Sequence, residues 1–444
     1  MTTSLLAGTA RRDISPRKPM FLCGYPHVDR ISTGVHDPLL ATALCLRRGD
    51  QSVLLVATDL LFVNPWTARE WRREASARSG VPEAGVFISC SHTHSGPNTC
   101  DVMEWGPSPV VPRLDPDYMA FLKQSLSDAA AEAAASLQPA RLAWTSAAVD
   151  GVGCNRHDPE HGARDPDVSI LALRHAVSGR LLALDLTYSM HPTVMHEDSK
   201  LVSSDFPGFA RQRIQMLAGS DLPILYHTGP AGNQSPRYHV KGQTFGEAER
   251  LGGRLAQAVW PAVEAIPDSA FQTEPALRGL LEPVTLPLRT LPAVAEARRT
   301  LEAYRATFVK LRAAGAPHGP VRTAECDVFG AEETLFLAEC QEKGVFQERM
   351  RRYDPQEVQL VQIGDAWLVG YPGELFVEFG LMTKWMAPCR VVPVSLVNGD
   401  AEGYLVTPAA LREGRYETNN RAFAAEAGGL LVQTALRLLR ASQT

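Results

Sequence analysis

The residue types best suited to chemistry lie in one short run, Ser91-His92-Thr93-His94-Ser95-Gly96-Pro97, which follows the strand-like residues 86–90. In an extended chain, residues two apart point the same way, so both imidazoles can face one cleft. Gly96-Pro97 is a loop signal and places the pair at the end of a strand, where catalytic groups often lie. A histidine pair of this kind is compatible with metal binding, and also with two histidines held by hydrogen bonds at a strand end.

Two other segments bring a metal-binding residue type to the end of a predicted strand. His191 follows the apolar residues 181–186, and Glu374 follows residues 369–370 through a Pro-Gly turn. Two histidines and one carboxylate form the open site that zinc uses when water occupies a remaining position. Each residue also has an ordinary interpretation, His191 as a buried or capping histidine and Glu374 as a first-turn residue stabilised by a helix dipole. His196 follows His191 by five residues, so the two side chains would face different sides of either a helix or a strand. His196 is therefore not predicted to be a partner of His191.

The elements that must position these residues alternate between strands and helices. Short runs rich in β-branched residues predict strands, and longer stretches of helical period predict helices. This alternation predicts an α/β fold with helices on the faces of the sheets. The predicted strands are residues 53–57, 86–89, 141–145, 169–173, 181–187, 357–363 and 366–370, and the predicted helices are residues 117–137, 244–266 and 423–441.

Residues 292–352 differ from the rest of the chain, because they are charged and rich in Ala and Leu at helical spacing. A break at residues 315–320 predicts that they form a helical hairpin, either a lid or a packed insertion. Gly364-Asp365 is a good two-residue turn between the last two predicted strands. We find no internal repeat and no flexible linker, and therefore predict one continuous domain over residues 1–444.

Composition and charge exclude several classes of protein. With 45% hydrophobic and 21% charged residues the chain matches globular averages, and a net charge of −5 gives no basic stripe for nucleic acid or anionic membranes. The N-terminus lacks the features of a signal peptide, and no apolar stretch approaches the roughly 20 residues needed to span a bilayer. The eight cysteines form no C-x-x-C pair. We expect a soluble, cytoplasmic protein with reduced thiols.

Considered together, these segments resemble the neutral, non-lysosomal ceramidase family. The resemblance depends on many short markers that keep the family's order from residue 8 to about residue 417. The markers are Gly8-Thr9-Ala10-Arg11-Arg12-Asp13-Ile14-Ser15-Pro16, the histidine run, Asn155-Arg156, His191 with Leu201-Val202-Ser203-Ser204-Asp205, Gly232-Asn233-Gln234-Ser235-Pro236, Pro372-Gly373-Glu374, and Tyr404 with Arg415-Tyr416-Glu417. It implies mixed sheets packed between helices in a sandwich-like arrangement.

The resemblance also implies a single catalytic zinc ion (Zn²⁺). His92 and His191 are similar to its two histidine ligands, Glu374 to its carboxylate ligand and Tyr404 to its phenolic ligand. Such a ligand set would also accept iron, cobalt or manganese. The implied activity is the hydrolysis of an amide (N-acyl) bond in a small molecule such as ceramide.

Four further positions correspond to polar groups near the reacting bond. His94 resembles a group beside the reacting carbonyl that does not bind the metal, and Tyr416 resembles a second tyrosine of the site. Arg156 is similar to an arginine that approaches a substrate or product carboxylate. Ser235 is either a hydrogen-bonding or nucleophilic group near the metal, or the serine of a tight turn. No Gly-x-Ser-x-Gly elbow is present, which disfavours a Ser-His-Asp hydrolase.

The sequence departs from the family at two positions of the Ser235 segment. Asn233 replaces an aspartate and Arg237 replaces an asparagine, and the family's C-terminal β-sandwich has no counterpart among the markers. Amide hydrolysis is therefore better supported than ceramide as the substrate. Two alternatives stay open: a zinc hydrolase of another amide, an ester or an N-acyl sugar, and a catalytically silent binding domain of the same fold.

Overall fold

A computed structural model describes residues 4–25, 27–101 and 110–443, so the ends of the predicted domain, residues 1–3 and 444, lie outside the described part. Its larger sheet has eight strands. In spatial order they are β11 (Ile224–Thr228), β9 (Leu181–Tyr188), β8 (Asp167–His175), β6 (Gln138–Ala148), β1 (Leu6–Asp13), β3 (Leu40–Arg48), β4 (Gln51–Thr58) and β5 (Val86–Cys90). The strand pairs β4–β5 and β9–β11 are parallel and the other pairs are antiparallel, so the sheet is mixed.

A smaller sheet has four strands, and three short ladders connect loops. The smaller sheet contains β13 (Leu277–Val284), β14 (Gln356–Ile363), β15 (Ala366–Gly370) and β17 (Arg390–Val394). The ladders pair β2 (Gly34–Val35) with β10 (Leu201–Val202), β7 (Cys154–Asn155) with β12 (Gln234–Ser235), and β16 (Glu374–Leu375) with β18 (Tyr404–Leu405). The last two ladders bring together segments of the candidate site that are far apart in sequence.

Helices pack against the outer faces of both sheets and against one another. They are α1 (Pro65–Ser79), α2 (Pro116–Ala135), α3 (Asp205–Ala218), α4 (Phe245–Glu264), α5 (Val294–Ala313), α6 (His318–Glu342), α7 (Val345–Met350), α8 (Val377–Met386), α9 (Tyr416–Asn419) and α10 (Glu426–Ala441). Among the described residues, no helix combines the length and the apolar character needed to cross a bilayer.

The alternation of side chains along β4 shows how the layers pack. Val53 and Leu55 point into a core shared with Leu368 of the smaller sheet, whereas Leu54 and Val56 pack against α1 and α2. Successive strand residues face opposite sides, so a strand that is apolar on both faces must be covered twice. The result is a sandwich of two sheets between layers of helices, which confirms the predicted fold class. Because strands from both halves of the chain share this core, we infer that the described residues form one domain.

The structure corrects the predicted break in the helical insertion. Residues 315–320 were expected to be irregular, but α5 ends at Ala313 and α6 already begins at His318. Proline is tolerated in the first turn of a helix, where backbone N–H groups have no partner within the helix, so Pro320 does not stop α6. Among the longer strands, sequence patterns also missed β1, β3, β11, β13 and β17. The predicted turn at Gly364-Asp365 is confirmed, because Ile363 pairs with Ala366 across it.

Gly252 and its neighbour Gly253 offer a matched test of the packing of α4 on α3. A Cβ on Gly252 would lie 2.6 Å from the Phe206 carbonyl oxygen, whereas a Cβ on Gly253 would meet no atom within 4 Å. We expect Gly252→Ala to lower the free energy of unfolding by about 1–3 kcal/mol through overpacking. Gly253→Ala should raise it by up to about 1 kcal/mol, because alanine is the better helix former. Urea unfolding measures both values, and equal effects of the two substitutions would contradict this packing.

Candidate metal centre

Three histidines converge just beyond the ends of β5 and β9. One ring nitrogen from each of His92, His94 and His191 lies within 4.8 Å of the others. The ring centroids of His92 and His191 are 4.7 Å apart, and those of His92 and His94 are 4.9 Å apart. His92 and His191 are buried, and His94 is half-buried. His196, as predicted, lies outside this cluster, where its imidazole pairs with Glu197 at 2.5 Å.

The backbone at His92 differs from the extended conformation assumed from the sequence. β5 ends at Cys90, and His92 has a φ of 70°, in the left-handed region that residues other than glycine rarely adopt. The His92 N–H donates to the Leu60 carbonyl oxygen at 2.9 Å, which holds the turn in place. The two imidazoles do meet, but they meet through this turn and not through the alternation of an extended strand. Unusual backbone of this kind is common at functional sites.

Each of the three imidazoles is oriented by a backbone carbonyl group. The Nδ1 to carbonyl oxygen distances are 3.0 Å from His92 to Leu61, 3.1 Å from His94 to Gly24 and 2.7 Å from His191 to Ala231. A carbonyl oxygen only accepts, so each Nδ1 carries the proton and donates it. In the neutral ring Nε2 then presents a lone pair, which is the usual arrangement of histidines that bind a metal.

Glu374 lies directly against these Nε2 atoms. Its Oε2 is 3.0 Å from Nε2 of His191 and 3.2 Å from Nε2 of His92. In the ladder of β16 and β18, Glu374 is the partner of Tyr404, so the phenol is brought beside the carboxylate. These residues come from four separate segments of the chain, and their convergence depends on the tertiary fold.

The electrostatic environment keeps the imidazoles of His94 and His191 neutral and the Glu374 carboxylate ionised at neutral pH. Burial, together with the charge of Arg156, lowers the pKa of His191 to about 4. Burial and the two neighbouring histidines lower the pKa of His94 well below its ordinary value. Burial opposes ionisation of Glu374, but His92 and His191 hold its pKa well below the ordinary value. At neutral pH, imidazole lone pairs therefore face a carboxylate, an arrangement that a divalent cation would stabilise.

Tyr404 and Tyr416 form an aromatic pair beside the cluster. Their ring centroids are 5.5 Å apart, and the Arg156 guanidinium lies 5.3 Å from the Tyr404 ring. Burial raises the pKa of both phenols. Both hydroxyl groups are thus hydrogen-bond donors at neutral pH. Asn420 donates to the Tyr416 hydroxyl at 2.8 Å and fixes its position.

Arg156 is held by an acid that the sequence analysis did not single out. Its Nε lies 2.5 Å from Oε1 of buried Glu417, and its Nη2 donates to the Gly232 carbonyl oxygen at 2.6 Å. The other oxygen of Glu417 lies 2.6 Å from Nε2 of His157. The only sequence signal for Glu417 was its place beside Tyr416 in the Arg-Tyr-Glu marker. Arg156 therefore has a structural role, because it connects Glu417 to the Gly232 carbonyl group, in addition to its position at the site.

The Ser235 segment is fixed by local hydrogen bonds. The Ser235 hydroxyl accepts from the backbone N–H of Arg237 at 3.1 Å, as expected for the serine of a tight turn. The Asn233 side chain accepts from the Val377 N–H at 3.0 Å and donates to Glu378 at 2.8 Å. The amide that replaces the family's aspartate therefore holds the start of α8.

A cavity of about 490 Å³ opens beside the histidines. Its wall includes all four polar residues predicted for the reacting bond, namely His94, Arg156, Ser235 and Tyr416, together with Tyr404. Helix α6 of the insertion forms the opposite wall through residues such as Phe329. The volume is in the range of small-molecule sites. The insertion is thus a packed wall of the cavity.

The chain has the fold of the ceramidases. It superimposes on the neutral ceramidase from Pseudomonas aeruginosa with a TM-score of 0.75 and 19% identity, over 99% of this chain and 75% of that one. A structure described as ceramidase complexed with C2 matches equally well, at a TM-score of 0.75 and 18% identity, over the same shares of the two chains. Residues 5–221 match the family neutral/alkaline non-lysosomal ceramidase, N-terminal. The resemblance inferred from the sequence markers is thereby confirmed.

Proposed function

We propose that this protein is a zinc-dependent hydrolase that cleaves the amide bond of ceramide or a ceramide-like N-acyl compound. The observation that carries the proposal is the convergence of three Nε2 lone pairs and the Glu374 carboxylate. Within this group His94 lines a small-molecule cavity, as does the neighbouring Tyr404. The family match over residues 5–221 supports amide hydrolysis. A cytoplasmic location, and the absence of a nucleic-acid partner, stay predictions from the sequence.

His92, His191, Glu374 and Tyr404 would hold the ion. When bound, zinc supplies the Lewis acidity that activates water and polarises an amide carbonyl at neutral pH. The Tyr404 hydroxyl is the group that would complete the ligand set, because it lies opposite Glu374 in the short ladder. Burial raises the pKa of Tyr404, so the hydroxyl is a neutral phenol at neutral pH before an ion binds.

His94 and Tyr416 would act on the substrate itself. The Gly24 carbonyl oxygen fixes the proton of His94 on Nδ1, so Nε2 is the atom able to accept a proton and pass it to the leaving amine. The Tyr416 hydroxyl is a donor on the same wall and can stabilise the developing oxyanion, an effect worth about 3–4 kcal/mol for a well-placed donor. The Ser235 hydroxyl is the acceptor of a backbone N–H, which supports a structural role over a nucleophilic one.

His94→Ala separates the two possible ligand sets. If His94 moves a proton and does not bind the ion, the variant should keep the wild-type metal content and lose about 10²- to 10⁴-fold in kcat. Elemental analysis of the purified protein measures the first quantity, and initial rates at saturating substrate measure the second. Loss of the metal would contradict this assignment and make His94 a third histidine ligand, in line with the three-histidine geometry.

One observation favours a second candidate function. Charged and polar side chains, among them Arg237, Arg322 and Glu333, line much of the cavity wall. Although most of the lining surface is apolar, these charged groups favour a zinc hydrolase of another N-acyl compound, an ester or an N-acyl sugar. A catalytically silent binding domain has less support, because Asn233, one of the two altered positions, has the separate role of holding α8.

Metal analysis followed by a hydrolysis screen tests the proposal. The protein is loaded with zinc and assayed against N-acyl sphingoid bases, N-acyl amino acids and N-acyl sugars of equal acyl length. We expect about one zinc ion per chain, as a single such site binds, and metal-dependent release of fatty acid from at least one class. Protein that binds zinc but hydrolyses none of them would favour the binding-domain alternative.

A further inference from the structure

The cavity is lined by more cationic than acidic side chains. Four cationic side chains, those of Arg156, Arg237, Lys241 and Arg322, are part of the wall. The acidic side chains of the wall are those of Glu332 and Glu333. An excess of one sign in a concave site attracts ligands of the other sign.

Most of these groups have their charge compensated by a neighbour. The pairs are Arg156 with Glu417 (2.5 Å), Arg322 with Glu197 (2.8 and 3.0 Å) and with Glu325 (2.7 Å), and Glu332 with Arg305 (2.7 Å). Burial and the charge of Glu402 raise the pKa of Glu333 to about 8, so its carboxyl is largely protonated at neutral pH. Glu333 therefore adds little negative charge to the wall.

Among the described residues, neither the Lys241 side chain nor the Arg237 side chain pairs with a carboxylate. Lys241 is exposed to solvent, whereas the Arg237 guanidinium is bonded only to neutral atoms. Nη1 lies 3.5 Å from the Thr323 hydroxyl and Nη2 lies 3.6 Å from the Cys326 sulfur, both long contacts. The side chain is half-buried, and no ion pair with a carboxylate forms within residues 4–25, 27–101 and 110–443. A half-buried cation without a counter-ion is costly unless a ligand supplies one.

The position of Arg237 connects it to the candidate metal centre. It follows Ser235 by two residues, and its backbone N–H is held by the Ser235 hydroxyl. The side chain lines the same cavity as His94 and Tyr416. A substrate whose amide lies at the histidines can therefore place a second group against this guanidinium.

We infer that the site selects N-acyl substrates that carry a free carboxylate, and that Arg237 binds that carboxylate. This inference rests on the proposed amide hydrolysis, and it favours the second candidate, another N-acyl compound, over ceramide as the substrate. Guanidinium pairs with carboxylate through two parallel hydrogen bonds, whereas the hydroxyls of a sphingoid base are neutral and leave the cation uncompensated. The carboxylate can belong to the amine half or to the far end of the acyl half, since both present the same group.

Three substrates of matched length test the inference on the wild-type protein. N-lauroylglycine carries the carboxylate on the amine half, N-lauroylethanolamine replaces it with a neutral alcohol, and the mono-ethylamide of dodecanedioic acid carries it on the acyl half. We expect kcat/KM for one carboxylate substrate to exceed that for the neutral one by about 10- to 100-fold, the usual strength of a hydrogen bond to a charged group. The preferred substrate identifies which half Arg237 binds.

Arg237→Gln assigns the preference to this residue. We expect kcat/KM for the preferred carboxylate substrate to fall by about 10- to 100-fold, with a change of less than about threefold for N-lauroylethanolamine. Arg237→Lys should recover part of the loss, because it restores the charge without the bidentate geometry. Arg213→Gln, an exposed arginine on α3, is the matched control for removal of one positive charge, and a thermal melt confirms that each variant is folded.

The outcomes separate this inference from the proposed function. Hydrolysis of the neutral substrate at least as fast as the carboxylate substrates would overturn the inference and leave amide hydrolysis intact. An equal loss with all three substrates in Arg237→Gln would also overturn it. The proposed function itself would be overturned if the protein hydrolysed none of the three substrates and no amide in the broader screen.

Discussion

Replacing His92 or Glu374 with alanine is expected to remove both the bound metal and the activity. Each substitution removes one proposed metal ligand. The ligand atoms of His92, His191 and Glu374 converge, with Glu374 Oε2 within hydrogen-bonding distance of both imidazoles. Removing a residue that hydrogen-bonds to a metal ligand already lowers metal affinity or activity by about 10- to 100-fold. Removing a ligand itself should therefore lower them by more than about 100-fold. Elemental analysis of dialysed protein and kcat/KM on the best N-acyl substrate measure the two effects.

The matched control for this prediction is His161→Ala. His161 is an exposed histidine whose nearest carboxylate, that of Asp158, is 3.8 Å away. It should retain wild-type metal content and turnover. Equal metal content in the wild type and in His92→Ala would remove His92 from the ligand set, and with it the proposed centre.

The second large effect is expected from Glu417→Gln. The substitution removes the charge that compensates buried Arg156, and breaking a buried ion pair in this way costs about 3–5 kcal/mol. We expect the free energy of unfolding in urea to fall by that amount at pH 7. Glu413→Gln is the control, because Glu413 is an exposed partner of His157 and should change the free energy by less than about 1 kcal/mol.

The pH dependence of unfolding gives the Glu417 prediction a second measurement. Burial opposes ionisation, but Arg156 and His157 hold the pKa of Glu417 far below its ordinary value of 4.5. A lowered pKa in the folded state means that the stabilisation is complete above pH 4.5 and is lost as the pH falls below it. The acid-side loss should therefore be shallower in Glu417→Gln than in the wild type. Parallel curves for the two proteins would contradict the ion pair.

The histidine pair shows how a correct prediction can come from an incomplete reason. The run of residues 91–97 predicted two imidazoles in one cleft, and the rings of His92 and His94 do meet. The assumed extended backbone was wrong, because a left-handed turn at His92 orients the rings. Sequence spacing reports where a strand ends, but it does not report the dihedral angles of the residue after it.

The sequence by itself determined the elements and the ends of elements at which chemistry can occur. Short runs rich in β-branched residues located the strands β4, β5, β6, β8, β9, β14 and β15. Periodicity located α2, α4 and α10 to within a few residues, and polar residues after β5, β9 and β15 marked the candidate ligands. These signals are local, because side-chain direction in a strand or helix depends on neighbours in the chain.

Only the tertiary structure decided which distant groups meet. The carbonyl oxygens that orient the imidazoles, the pairing of Glu417 with Arg156, and the uncompensated guanidinium of Arg237 all join segments far apart in sequence. Ladders of two residues, such as that of Glu374 with Tyr404, are too short to leave a periodic pattern. Such contacts arise from the packing of the two sheets and their loops, so spacing along the chain carries no information about them.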